Sequence, residues 1–454
     1  MACDDMIDQQ EIEILTSSLQ RLSQGFMDLP PFDTSLDAAR IREVMDEVAS
    51  RMQDNYPYHH PKYAGQMLKP PHPVARIAYM LSLWINPNNH ALDGGIASSA
   101  MEKEAVAAIA EMFGFDQPLG HLCGGGTMAN MEALWVAGKL HPGRKVLASE
   151  QAHYTHGRIS EVLGLDFGSV ATDNCGRMDL QALRQALQND NIGTVVVTLG
   201  TTGLGAVDPL ADILSLREKY GFRVHVDSAY GGYFHIASEL LPDARQAFDQ
   251  IHQADSIVID PHKHGLQAYG CGCILFRDSS VGSLYKHDSP YTYFSSAELH
   301  LGEISLECSR PGAAAVALWA TQRLLPMDTN GEFSGLLDRS LLAARIMHQK
   351  LQQSGNFRSL LTPELDIVVY GVEASDAVTA SERARHVFTA AAAEDLHLAL
   401  IELPTPLVRH YWPKLDANRD TVTCLRSCLM KPEHLDWVDE ICETLERVCP
   451  APAG

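Results

Sequence analysis

The chain has 454 residues, 46% hydrophobic and 20% charged, which is enough to bury a large core and is far from the composition of a disordered protein. A formal net charge of −22 argues against nucleic acid and anionic membrane as partners, because both reward clustered Lys and Arg. Nowhere do about 18 apolar residues run unbroken, and the acidic start M-A-C-D-D-M-I-D is unlike a secretory signal or transit peptide, so a cytoplasmic protein is expected. The ten cysteines include no C-x-x-C pair, and Cys424 and Cys428 are followed by no matching His/Cys pair. Reduced, mostly buried thiols are expected rather than disulfides or a metal site.

Residues 1–55 read as two amphipathic helices broken at Pro30-Pro31, the second starting near Asp37 with Ile41, Val44, Met45 and Val48 on one face. Tyr56–Pro73 holds five prolines in 18 residues, which excludes regular structure, so this segment must drape over something as linker or pocket wall. Helices are expected at Val74–Trp84, Ser98–Phe113 and Met128–Leu140, the last after a Gly-rich turn at Cys123–Thr127. Strand-like runs follow at Lys145–Ala148, Thr194–Leu199, Arg223–Val226, Ser256–Ile259 and Gly272–Phe276, with helical segments between several of them. This alternation predicts an α/β chain with a mostly parallel sheet covered on both faces, and ligands at the carboxyl ends of its strands. A long helix after Pro311-Gly312 precedes a smaller α/β unit. The expected division is an N-terminal helical and draping segment at 1–85, a large cofactor-binding domain at 86–328 and a small domain at 329–454.

Five segments carry candidate chemistry. C-G-G-G-T-M-A-N at 123–130 has glycines that allow close backbone approach, ahead of a helix start whose N–H groups favour an anion; by itself it is a common turn. His153 in S-E-Q-A-H-Y-T is a loop histidine or a flat ring for stacking on a cofactor. T-L-G-T-T puts Thr201 and Thr202 beyond a strand end, where hydroxyls serve a turn or a ligand. In V-H-V-D-S-A-Y-G-G, Asp227 ends an apolar strand, and a buried acid there is costly unless a cation pairs with it. In S-I-V-I-D-P-H-K-H, Pro261 ends the strand and leaves Lys263 just past it, between two histidines. An anion cradle, a stacking ring, a carboxylate and a lysine at strand ends are the parts that pyridoxal phosphate needs.

These segments, in this order, resemble the group II pyridoxal-phosphate-dependent amino-acid decarboxylases, a family that includes aromatic-amino-acid, tyrosine and glutamate decarboxylases; the likeness spans roughly residues 55–325. The resemblance implies fold type I, with a mostly parallel seven-stranded sheet, and an obligate homodimer whose N-terminal segment wraps the partner. It implies that Lys263 carries the cofactor as a Schiff base, that Asp227 keeps the pyridine nitrogen protonated, and that Ala229 and His153 sandwich the ring. Gly125, Gly126, Thr127 and His262 match phosphate contacts, and Thr202 a residue beside ring and substrate. The expected reaction is loss of CO₂ from an L-amino acid. Tyr291 and Tyr293 are candidate proton donors or interface aromatics, and Arg310 in S-R-P-G-A either binds the substrate carboxylate or pairs with an acid. Two departures stand out: Asp260 occupies the place of an Asn in the aromatic decarboxylases, and S-R-P-G-A is closer to a lyase pattern. A carbon–carbon lyase, an oxidative deaminase and a non-catalytic scaffold are the alternatives.

Overall fold

In the computed structural model, which describes residues 8–30, 32, 36–116, 118–286 and 305–450, the β-branched runs assemble into one seven-stranded sheet. Its strands are β1 (Leu119–Cys123), β2 (Lys145–Ser149), β3 (Phe167–Val170), β4 (Ile192–Thr198), β5 (Arg223–Asp227), β6 (Ser256–Ile259) and β7 (Gly272–Phe276). They lie in the order β1-β7-β6-β5-β4-β2-β3, with β7 antiparallel to both neighbours and every other pairing parallel. Every residue of β4 and β6 is buried, which requires cover on both faces and explains their richness in Val and Ile. The cover comes from α4 (Ile96–Met112), α5 (Gly126–Leu140), α6 (Thr155–Leu163), α7 (Leu180–Asn189), α8 (Leu210–Tyr220) and α9 (Pro242–Asp249).

β1 and β3 lie outside the runs expected to be strands. β1 reads L-G-H-L-C, and its polarity is masked because buried His121 pairs with Glu132 of α5 at 2.8 Å. β3 is only four residues long and half of it is a Gly-Ser pair.

Beyond α10 (Gly312–Leu324), α11 (Glu332–Gln353) leads into a second, antiparallel sheet of β8 (Phe357–Ser359), β9 (Ile367–Val372), β10 (Ala399–Pro404) and β11 (Thr421–Cys428), in the order β10-β11-β9-β8. Helices α11 and α12 (Ala377–Ala392) pack on it, α14 (His434–Val448) packs against both of them, and the short α13 (Thr405–Tyr411) joins β10 to the stretch before β11.

At the other end of the chain are α1 (Gln9–Gln24), α2 (Ala38–Met52) and α3 (Pro73–Leu83). Asp37 caps α2 by accepting from Arg40 N, yet no residue of α2 is buried, and Ile41, Val44, Met45 and Val48 all face outward. The Pro-rich segment has neither helix nor a full strand over 56–72, and its last proline, Pro73, opens α3. It lies on the second sheet of its own chain: Ala64 N donates to His397 O, Cys428 N donates to Ala64 O, and the Lys431 ammonium donates to Tyr63 O at 2.7 Å. That contact is within one chain, whereas the resemblance had offered wrapping of a partner as its explanation. Among the described residues, no helix is long and apolar enough to cross a membrane.

Candidate active site

The parts expected at strand ends meet at the carboxyl edge of β4, β5 and β6. Gly125 has φ +142°, a conformation closed to other residues, and leads directly into α5. A Cβ on Gly126 would lie 2.8 Å from Asp260 Oδ2 and 3.2 Å from the Ala229 side chain, so only glycine lets the helix start come this close to the strand ends. The free N–H groups of that first turn and the positive end of the helix favour an anion.

Asp227 is the last residue of β5 and is buried. Its Oδ2 accepts from His156 Nε2 at 2.8 Å and from Asn130 Nδ2 at 3.2 Å, and Oδ1 accepts from Ala229 N at 3.1 Å. Burial alone would raise this carboxyl. The hydrogen bond and charge of His156, with Lys263 and His225 nearby, outweigh it and hold Asp227 well below the usual carboxylate range. Behind it, burial pushes His225 down to about 3, so this ring is neutral near pH 7. Because Asn130 donates to Asp227 through its NH₂, its Oδ1 must accept from His225 Nε2 at 2.8 Å, and His225 Nδ1 then accepts from Ser256 Oγ at 2.8 Å. One chain of donors, Ser256 to His225 to Asn130, therefore ends on the carboxylate and fixes its orientation. None of Asn130, His156 and His225 was singled out from sequence. The signals available were the Asn that closes the G-G-G-T-M-A-N motif, a His three beyond His153 and a His two before Asp227.

Past β6, Asp260 N donates to Ala229 O at 3.2 Å, tying the ends of β5 and β6 together, and Lys263 N closes a turn onto Asp260 O at 2.9 Å. Lys263 Nζ lies 3.2 Å from Asp260 Oδ2. His262 donates through Nδ1 to Cys271 O at 2.8 Å and stacks against Tyr269 with ring centroids 4.8 Å apart, and burial lowers its pKa. His264, unassigned from sequence, is wholly buried and lies 3.1 Å from Asp366 just ahead of β9; Asp366 also accepts from Tyr230 Oη at 2.6 Å. The lysine loop is thus anchored to the second sheet.

Gly125, Gly126, Thr127, His153, Thr202, Asp227, Ala229, His262 and Lys263 all line one cavity of about 580 Å³. His153 is partly buried, which lowers its pKa, and its Nδ1 lies 2.9 Å from Thr155 Oγ1. Glu307 also lines the cavity, accepting from Gly124 N at 3.0 Å. Arg310 is not among the lining residues. Its guanidinium is buried and donates to Glu102 Oε1 at 2.5 Å, Leu122 O at 3.0 Å and Asn89 O at 2.7 Å, so of the two roles left open by sequence the structure has the pairing with an acid. Tyr291 and Tyr293 lie outside the described residues.

Residues 139–373, more than half of the chain, match the family model described as the pyridoxal-dependent decarboxylase conserved domain. The chain belongs to this family. An L-tyrosine decarboxylase of Enterococcus faecium is 27% identical over 440 residues, covering 75% of this chain and 72% of the relative. An L-aspartate decarboxylase of Thermococcus kodakarensis is 28% identical over 350 residues, covering 76% of this chain and 88% of that one. Among solved structures, mouse CSAD in apo form superposes with a TM-score of 0.77 at 19% identity, covering 96% of this chain and 99% of that chain. Oryza sativa TDC with PLP and tryptamine gives a TM-score of 0.78 at 17% identity, covering 98% and 100%. The protein is a pyridoxal-phosphate-dependent amino-acid decarboxylase of fold type I.

The residues present fit that cofactor. The cavity has a glycine cradle that a single Cβ would obstruct, a buried carboxylate whose Oδ1 has one donor and room for a cationic nitrogen, and a lysine amine that reaches the space between them.

Proposed function

We propose that Lys263 is the lysine through which this decarboxylase carries its cofactor, and that the L-amino acid it converts to an amine and CO₂ has an uncharged side chain. The observation that carries the assignment is the meeting of Lys263, Asp227 and the Gly124–Thr127 turn in one cavity at the strand ends. The side-chain preference rests on the lining: Met128, Met131, Tyr230 and Tyr269 supply apolar and aromatic surface, and Lys263 is the one Lys or Arg among the described lining residues. An acidic side chain would lack a counter-charge there.

Bound pyridoxal phosphate supplies an electron sink for the pair left on the α-carbon when the carboxylate departs. His156 and Asn130 keep Asp227 Oδ2 occupied, and the carboxylate so held would keep a proton on the pyridine nitrogen of the bound cofactor. His153, whose pKa is lowered by burial, and Ala229 would enclose the ring of the bound cofactor. Gly125, Gly126 and Thr127 would hold the phosphate at the start of α5 through the free N–H groups of its first turn, His262 would line that cradle, and Thr202 would lie beside the substrate. Holding the breaking bond in register with the ring is a positioning task, and positioning is worth several powers of ten in rate. Tyr291 or Tyr293 would return the proton to the α-carbon, and Phe at the donor position should lower the rate of amine formation.

The working unit is a homodimer in the cytoplasm. The outward apolar face of α2, with exposed Leu83, Trp84 and Ile85 after α3, supports an interface with a second copy, and buried free thiols suit a reducing compartment. Light scattering of the purified protein tests the first point.

The deciding experiment is Lys263→Ala. Loss of the visible band of the lysine-bound cofactor and of CO₂ release, at an unchanged melting midpoint, is expected. A variant that keeps the band would refute the lysine assignment. CO₂ release from a panel containing L-tyrosine and L-aspartate tests the side-chain preference, and a clear lead for L-aspartate would overturn it.

A further inference from the structure

Asp260 stands at the centre of the site without an evident duty. It follows β6 directly and its side chain is almost fully buried, with Oδ2 3.2 Å from Lys263 Nζ and 3.5 Å from His262 Nε2. Its other oxygen, Oδ1, is buried with no hydrogen-bond partner. A buried carboxylate costs several kcal/mol unless a cation meets it, and a half-satisfied one is worse than an apolar group. His262 is poorly placed to be that cation. Its Nδ1 hydrogen is committed to Cys271 O, so in the neutral ring the nitrogen turned toward Asp260 carries a lone pair. Lys263 is left as the counter-charge.

The position also faces the anion cradle. Asp260 Oδ2 is the atom that a Cβ on Gly126 would strike first, so the carboxylate sits against the start of α5. An acid there opposes the binding of a phosphate. A residue with that disadvantage is accounted for if the carboxylate serves Lys263.

We propose that Asp260 is a positioning residue that receives the Lys263 amine when it is released. This rests on Lys263 being the lysine that carries the cofactor. When an amine substrate takes the place of the lysine, the C=N bond to Nζ breaks and a C=N bond to the substrate nitrogen forms. The substrate enters as an ammonium ion; the proton it must shed to react is taken up by the departing Nζ, which leaves as an ammonium ion. Protons and charge balance within the exchange. Asp260 is the anion on which that ammonium comes to rest, so it biases the exchange toward the substrate and keeps the lysine clear of the reacting carbon.

The test uses the holoenzyme with methylamine as the exchanging amine. Wild type and Asp260→Asn are equilibrated with increasing methylamine and reduced with borohydride. Mass spectrometry then counts the cofactor fixed on the Lys263 peptide against the cofactor released as its methylamine adduct. The expected result is that Asp260→Asn needs about tenfold more methylamine for half-exchange, the size of a lost charge-assisted hydrogen bond. The same shift is expected when phosphate-free pyridoxal replaces the cofactor, at an unchanged melting midpoint. Asp260→Glu, which keeps the charge, should recover part of the shift, and Asp260→Ser should match Asn should the amide variant prove unstable. Half-exchange at the wild-type concentration in the variants overturns the proposal. So does a shift seen with pyridoxal phosphate but absent with pyridoxal, which would assign Asp260 to the phosphate. If wild-type reduction labels no Lys263 peptide, the lysine assignment itself fails and this inference falls with it.

Discussion

Arg310→Met separates a structural arginine from a substrate-binding one. The guanidinium is nearly inaccessible and makes three bonds, to Glu102 Oε1, Leu122 O and Asn89 O. Glu102 is equally buried and also accepts from Leu122 N at 3.0 Å and Asn89 Nδ2 at 2.5 Å, so losing the arginine strands a carboxylate that cannot reach water. Removing one member of such a pair costs about 3–5 kcal/mol. With an unfolding entropy of about 2.1 cal/mol/K per residue, 454 residues give about 0.95 kcal/mol/K, so the melting midpoint should fall by about 3–5 °C. Arg310→Met with Glu102→Gln should recover more than half of that loss, because the amide leaves no bare charge. The assay is thermal unfolding of the cofactor-free protein, read beside KM for the best substrate of the panel. A midpoint lowered by less than about 1 °C together with a tenfold rise in KM would refute the reasoning and return Arg310 to the substrate carboxylate.

Three further outcomes follow from the same geometry. His156→Leu removes the strongest donor to Asp227 and lets burial raise that carboxyl; the acid limb of the kcat profile should move to higher pH and kcat should fall about tenfold or more, and an unmoved profile would exclude this role. Gly126→Ala puts a methyl 2.8 Å from Asp260 Oδ2, so cofactor affinity measured by absorbance should drop about fivefold to a hundredfold, by roughly the 1–3 kcal/mol of an overpacked site, and unchanged affinity would contradict the cradle. Burial pushes Lys431 down to about 7, so between about 7 and the usual 10.5 the unfolded chain holds more protons than the folded one, and stability rises with pH across that window. Lys431→Met should flatten this rise in cofactor-free protein melted at pH 7 and at pH 9.5, and a parallel rise in both proteins would contradict it.

Composition, motif order and strand runs were enough to expect a mostly parallel sheet with a cofactor at its carboxyl edge. β4, β5 and β6 are legible because strands buried on both faces are rich in Val and Ile, and the lysine and aspartate motifs sit directly at the ends of β6 and β5. β1 is not legible because Gly120 and His121 interrupt its apolar run, and the histidine is satisfied by Glu132 on the next helix, across the Gly-rich turn, rather than within the strand. Arg310 shows the same limit: its motif left carboxylate binding and acid pairing open, and only the approach of Glu102, 208 residues away, separates them. For the α2 face the difficulty is reversed, since periodicity marks the stripe but cannot say what covers it.

The sequence by itself determined the cofactor chemistry, because Schiff-base, pyridine and phosphate contacts each demand a residue type at a strand end, and strand ends are local features. Tertiary structure decided the tuning of those residues. The donors that orient Asp227 and the pairing that occupies Arg310 come from segments distant in sequence, and although Asp260 stands only three residues before Lys263, its burial beside the amine is set by the packed strand ends; burial and charge act through space rather than along the chain.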